Sequence, residues 1–145
     1  LPVTRREESE LNRYIQRDII SVLELDHVQN HYVEDLSYGL QKRIELARAL
    51  VMRPKILLLD EPVAGMNREE KREMSRFVLN VNKTLGTTVL LIEHDMSMVM
   101  SISDHVSVIS FGKPIASGTP DDVRADPEVI RAYLGGADEP AKTAA

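Results

Sequence analysis

Ile56-Leu57-Leu58-Leu59-Asp60-Glu61-Pro62, residues 56–62, is the stretch on which the fold turns. Four consecutive apolar residues are too few for a buried helix, and a proline follows closely. The run therefore predicts a short, fully buried strand of a parallel sheet. Two acids stand at its carboxyl end, which is where open α/β sheets place their ligands. An aspartate there, Asp60, can hold Mg²⁺, usually through water, beside nucleotide phosphates. Glu61, one residue later, points elsewhere and can polarise an attacking water as a general base. Alone, the same run fits two solvated acids opening a loop just as well.

On the amino-terminal side, Leu36-Ser37-Tyr38-Gly39-Leu40-Gln41 opens a basic amphipathic helix that Pro54 stops. Ser37 fits its N-cap, and Leu40, Ile44, Ala47 and Val51 form the expected apolar stripe. A Ser and a Gly at a helix N-terminus offer a hydroxyl and free amides to an anion, although an ordinary cap needs the same residues. On the carboxyl-terminal side, Asn67 and Glu70 have capping-box spacing and predict a helix from about Arg68. Its buried face is expected at Met74, Phe77, Val78 and Val81, with Gly86 ending it. Thr87 to Ile92 then reads as a second buried strand. Leu91-Ile92-Glu93-His94-Asp95 puts His94 at that strand's carboxyl end, beside Asp60 if the strands are neighbours. An imidazole so placed can contact a γ-phosphate and the attacking water. A lone His after a strand is also a common surface residue.

Further out, residues from about Ser9 to Leu25 predict a helix with Leu11, Ile15, Ile19 and Val22 on one face, followed by a polar connector from Asp26 to Asp35. His105 to Ser110 reads as a third strand. Gly112-Lys113-Pro114 reads as a turn into a short fourth strand, Ile115 to Ser117. Thr119-Pro120 and Asp126-Pro127 each open a short helix. Residues 135–145 carry the composition of a disordered tail. Strand, helix, strand, short helix, strand is an α/β pattern with a parallel sheet.

Composition narrows the classes. The chain has 145 residues, 43% of them hydrophobic and only 4% aromatic, so its core must be aliphatic. A net charge of −5 argues against a nucleic-acid partner. The absence of cysteine excludes disulfides and thiolate metal sites. No apolar run approaches the roughly 18 residues that span a bilayer. The start, Leu1-Pro2-Val3-Thr4-Arg5-Arg6, has neither the initiator Met nor the apolar region of a signal peptide, and predicts a segment of a longer protein.

The pieces occur together in one order, and that order resembles the ATP-binding-cassette (ABC) ATPases. LSYGLQKRIELARAL, residues 36–50, resembles the ABC signature motif and its helix. ILLLDEP resembles the Walker B segment, Ala64-Gly65-Met66-Asn67 the D-loop, and LLIEHD the switch-histidine loop. Tyr38 within the signature, DEPVAGMN, and the ending DDVRADPEVIRAYLGG are similar to the ATPase subunits of bacterial branched-chain amino-acid importers. Related importers for urea and other amides are nearly as similar.

The resemblance implies a partial P-loop NTPase (RecA-like) parallel sheet with flanking helices over residues 36–134, preceded by the end of the ABC helical subdomain over residues 1–35. It implies ATP and Mg²⁺ as cofactors, with Asp60 helping to hold the metal, Glu61 as general base and His94 as switch. Ser37, Tyr38 and Gly39 would face the ATP of the opposite subunit in a head-to-tail dimer, and Asn67 would act across that interface. Leu40 stands where the common signature has Gln, so no polar role passes to that position. Implied partners are a second ABC ATPase subunit and transporter membrane subunits, at the cytoplasmic face of the plasma membrane.

No G-x-x-x-x-G-K-[S/T] occurs in these residues. Without loop amides and a lysine to cradle the phosphates, the chain is expected to hydrolyse no ATP by itself. Missing upstream strands would leave an apolar sheet edge open to self-association. A different class, the soluble ABC ATPases of DNA repair, chromosome maintenance or translation, shares the spacing. Those proteins usually add coiled coils or basic surfaces, neither of which is evident here.

Overall fold

The first helix begins earlier than its apolar pattern announces, because a cap lies upstream of it. In the computed structural model, which describes residues 4–134, Thr4 and Glu7 form a capping box. The Glu7 N–H donates to Thr4 Oγ1 at 3.3 Å, and the Thr4 N–H donates to Glu7 Oε2 at 2.8 Å. The helix α1, Arg5–Tyr14, therefore starts at Arg5. It runs on through Ile15–Ile20 in wider turns, with the Ser21 N–H donating to the Gln16 carbonyl. Burial starts only in this second part, at Ile19, and continues past its end at Leu23, while Leu11 stays exposed. The connector from Asp26 to Asp35 is polar as expected, with two single helical turns in it.

Helix α2, Tyr38–Val51, starts after Ser37 and ends ahead of Pro54. Its buried face is Leu46, Ala47 and Leu50, turned one residue from the predicted stripe. The reason lies at Arg43, whose stem runs inward. Its guanidinium stacks 4.3 Å from the Phe77 ring centre and donates to the Leu23 carbonyl at 3.2 Å. Ile44 is left at the margin.

Strands β1, Ile56–Asp60, and β2, Thr88–Ile92, pair in parallel, Leu58 opposite Leu90 and Asp60 opposite Ile92. Between them runs helix α3, Arg68–Leu85, with the predicted Asn67–Glu70 box at its start. Met74, Phe77, Val78 and Val81 are its buried residues, as expected. Gly86 closes it at φ 66°, in the left-handed conformation a glycine adopts without strain. The expectation of fully buried strands fails. Ile56, Leu58, Leu90 and Ile92 are exposed, and only Leu57 of β1 is buried. Helices cover one face of this two-stranded sheet, so burial alternates along it instead of running continuously.

The chain divides after His94 into two compact units. In the second, helix α4, Met96–Ile102, leads into β3, Val106–Ser110. β3 does not extend the parallel sheet, as the α/β pattern had implied. It pairs antiparallel with β4, Lys113–Gly118. The turn falls on Phe111 and Gly112, at φ 48° and 75°, one residue before the predicted place. Two successive positive φ values suit the twist of a tight hairpin. Pro114 thus enters the strand, opposite Ile109 where the register shifts. Helices α5, Pro120–Ala125, and α6, Pro127–Val129, begin after Thr119 and Asp126 as predicted. Val106, Val108, Val123 and Val129 form this unit's core. The expected tail, residues 135–145, lies outside the described residues.

Candidate functional site

Parallel pairing brings the carboxyl ends of β1 and β2 side by side. The Glu61 N–H donates to the Ile92 carbonyl at 2.9 Å, which carries the ladder one step past Asp60. The next residues of each strand then diverge into adjacent loops. Glu61 has φ 45°, a left-handed conformation that costs a side-chain-bearing residue about 1–2 kcal/mol. Strained backbone of this kind persists where surrounding bonds over-determine it. Glu61 Oε1 lies 3.4 Å from His94 Nδ1, and their side chains are 52% and 71% exposed. Asp60 is also exposed. The strand-end residues singled out in the sequence, Asp60, Glu61 and His94, thus share one open, solvent-facing ledge.

A residue that the sequence reading passed over holds the ledge together. The Glu93 side chain is only 1% exposed. Its Oε1 accepts from the Val63 N–H at 3.2 Å, and its Oε2 from the His94 N–H at 3.0 Å. The signal was available in the alternation of β2. Val89 and Leu91 face inward with Leu57 and Leu59, so position 93 follows on the same side. An acid on that side must find partners, and it does.

The second group of predicted residues lies at the start of α2. Ser37 has N-cap geometry, φ −60° and ψ 154°, but its hydroxyl makes no capping bond. Its carbonyl accepts from the Gln41 N–H at 3.0 Å. Tyr38 is exposed, with Lys42 Nζ 5.6 Å from its ring centre. A methyl group added at Gly65 would lie 3.7 Å from that ring, and one added at Gly39 would lie 3.0 Å from Glu70 Oε1. The start of α2 therefore packs on Gly65, in the loop from Ala64 to Asn67, and on Glu70 in the first turn of α3. Asn67 in that loop is fully engaged as a cap, its Oδ1 accepting from the Glu69 and Glu70 amides at 2.9 and 3.0 Å. Among the described residues no hydrogen bond or ion pair links Ser37, Tyr38 or Gly39 to Asp60, Glu61 or His94. The predicted residues form two clusters in the first unit.

Among the described residues no group of three or more His, Asp or Glu side chains stands close enough to hold a metal ion alone. A single exposed carboxylate at a strand end still fits magnesium, which keeps several waters and takes one or two carboxylates together with substrate phosphates. No described helix is long and apolar enough to cross a membrane.

Residues 4–64 match the ABC transporter family, and residues 113–139 match the branched-chain amino acid ATP-binding cassette transporter family. The chain is 46% identical, over 92% of its length, to the high-affinity branched-chain amino acid transport ATP-binding protein BraF of Pseudomonas aeruginosa, of which it covers 52%. It is 49% identical to LivG of Escherichia coli, a protein of the same description, over 77% of this chain and 43% of that one. Among solved structures, cbiO1 from Clostridium perfringens, part of the ABC transporter complex cbiONQ, matches with a TM-score of 0.77 at 32% identity, over 94% of this chain and 52% of that one. An ATP-binding cassette of an ABC transporter in its ADP conformation matches at 0.76 and 31%, over 92% and 52%. The chain spans about half the length of the curated relatives it matches. On these matches the chain belongs to the ABC transporter family of ATP-binding proteins.

Proposed function

We propose that this chain supplies the signature, magnesium and switch side of the ATP site in the motor subunit of a bacterial ABC importer. The observation that carries the reading is the Glu61–His94 pair, 3.4 Å apart at the ends of adjacent parallel strands. Glu61 is the general base, taking the proton of the water that attacks the γ-phosphate. His94, with Nδ1 toward Glu61, has Nε2 left for the phosphate and the water. Asp60 is the residue that would hold Mg²⁺, and the metal would supply neutralisation of charge on the phosphates.

Ser37, Tyr38 and Gly39 serve the ATP of a second ABC ATPase subunit. A larger residue at Gly39 would approach Glu70 Oε1 to 3.0 Å, so that side chain would have to give way. Asn67 keeps the loop between the two clusters in shape and acts toward the same partner. Residues 1–35 are the end of a helical subdomain, and residues 36–134 part of a nucleotide-binding domain. Transporter membrane subunits bring the assembly to the cytoplasmic face of the membrane. The descriptions of the relatives support branched-chain amino acids as the solute; related amides are the alternative that the sequence motifs leave open.

By itself the chain hydrolyses no ATP, since no phosphate-binding loop is among its residues. The test is complementation with the phosphate-loop half of a related ATPase subunit. MgATP hydrolysis should appear, and Glu61→Gln should lower it about 10²- to 10⁴-fold. Hydrolysis by the complemented chain that is indifferent to Glu61→Gln would remove the basis of the assignment. Magnesium-dependent turnover by the chain alone, lost in Glu61→Gln, would refute its inactivity.

A further inference from the structure

Glu93 binds the backbones of both loops that carry the reacting pair. The sheet ladder ends at the Glu61 N–H, and beyond it β1 and β2 no longer hold each other. The Glu93 carboxylate takes over from that point. One oxygen receives the amide of Val63, two residues after Glu61, and the other receives the amide of His94 itself. Val63 is buried, so its end of this link is anchored in the core. Bonds from amides to an ionised acceptor are among the stronger hydrogen bonds, and burial raises the penalty for leaving any of them unmade. The same link restrains the turn in which Glu61 is kept at φ 45°.

We propose that Glu93 is a positioning residue whose buried carboxylate clasps the Val63 and His94 amides and so sets the separation of Glu61 from His94. Its effect on turnover passes through the two residues it spaces, and that part rests on the reading of Glu61 and His94 as base and switch.

The test has two arms. In the chain itself, amide hydrogen exchange is followed at Val63, His94 and, as a control in α3, Val81. Glu93→Ala should speed exchange at Val63 and His94 about 10-fold or more and leave Val81 unchanged. Glu93→Gln keeps one acceptor oxygen and should expose one of the two amides. Unchanged protection of both amides in Glu93→Ala overturns the clasp. If that variant also loses Val81 protection, Glu93→Gln decides: one amide exposed supports the clasp, neither exposed overturns it.

In the complemented, ATP-hydrolysing form, Glu93→Ala should lower kcat at least about 10-fold with KM for ATP unchanged, since small misplacements of reacting groups are costly. Glu93→Gln should fall between Ala and the native residue. An unchanged kcat, or a loss confined to KM, overturns the positioning role. Should the unsubstituted complemented chain fail to hydrolyse ATP, the assignment of function falls, while the exchange arm still decides the clasp.

Discussion

Glu61 concentrates cost and use in one residue. Its left-handed backbone is unfavourable for any side chain, yet the conformation turns its carboxylate toward His94. Glu61→Gly should therefore hold or raise the chain's stability, by up to about 1 kcal/mol, while abolishing hydrolysis in the complemented form. Thermal melting together with turnover checks this; a destabilised variant would show that φ 45° is not strained. A second residue-scale prediction concerns pH. The side-chain hydrogen bond from Arg76 holds the Glu24 carboxyl below its usual range; burial opposes it, and nearby positive charges add smaller effects in the same direction as the bond. A depressed carboxylate contributes stability that is present at neutral pH and is lost as pH falls through and below the ordinary glutamate range. The pair is half exposed, so the effect is small. Glu24→Gln should flatten the acid limb of stability measured by denaturant titration. At this scale the sequence was legible where one residue's chemistry demands one role, as at Asn67, Gly86 and Pro120. It was less so at Thr4 and Glu93, whose partners had to be sought in the cap spacing and in strand alternation.

Among the elements, α3 carries most of what was readable. Its caps are local, and its four buried residues recur at helical spacing, so no knowledge of neighbours is needed. Phe77 is fully buried beneath Arg43 and Arg76, whose guanidinium groups lie 4.3 and 4.5 Å from its ring centre. Phe77→Ala should cost about 3–5 kcal/mol in denaturant unfolding. A loss below about 1 kcal/mol would mean the ring is not central to this core. The other elements read less well because their environment is not local. In α2 a long cationic stem turned the buried face. In β1 and β2 an apolar run that reads as burial on both sides is covered on one side only. The third strand's partner could not be read from periodicity, since β3 fits a parallel neighbour and a hairpin equally well.

For the molecule as a whole, the two-stranded parallel sheet is the feature with consequences. Ile56, Leu58, Leu90 and Ile92 are exposed together on one face, and among the described residues β1 and β2 pair only with each other. Unpaired edges of this kind template further strands. Light scattering should show self-association that grows with concentration, and Leu58→Lys with Leu90→Lys should suppress it; a monodisperse monomer at high concentration would count against this. The site itself is organised on the same plan. One cluster faces this chain's own strand ends, the other lies at the start of α2, and neither includes a phosphate-binding loop. If the chain holds one side of a composite nucleotide site, calorimetric titration of MgATP into the purified chain will reveal it. No measurable binding is expected at millimolar nucleotide. Micromolar binding, about −8 kcal/mol, would reveal a phosphate cradle within these residues and contradict a one-sided site.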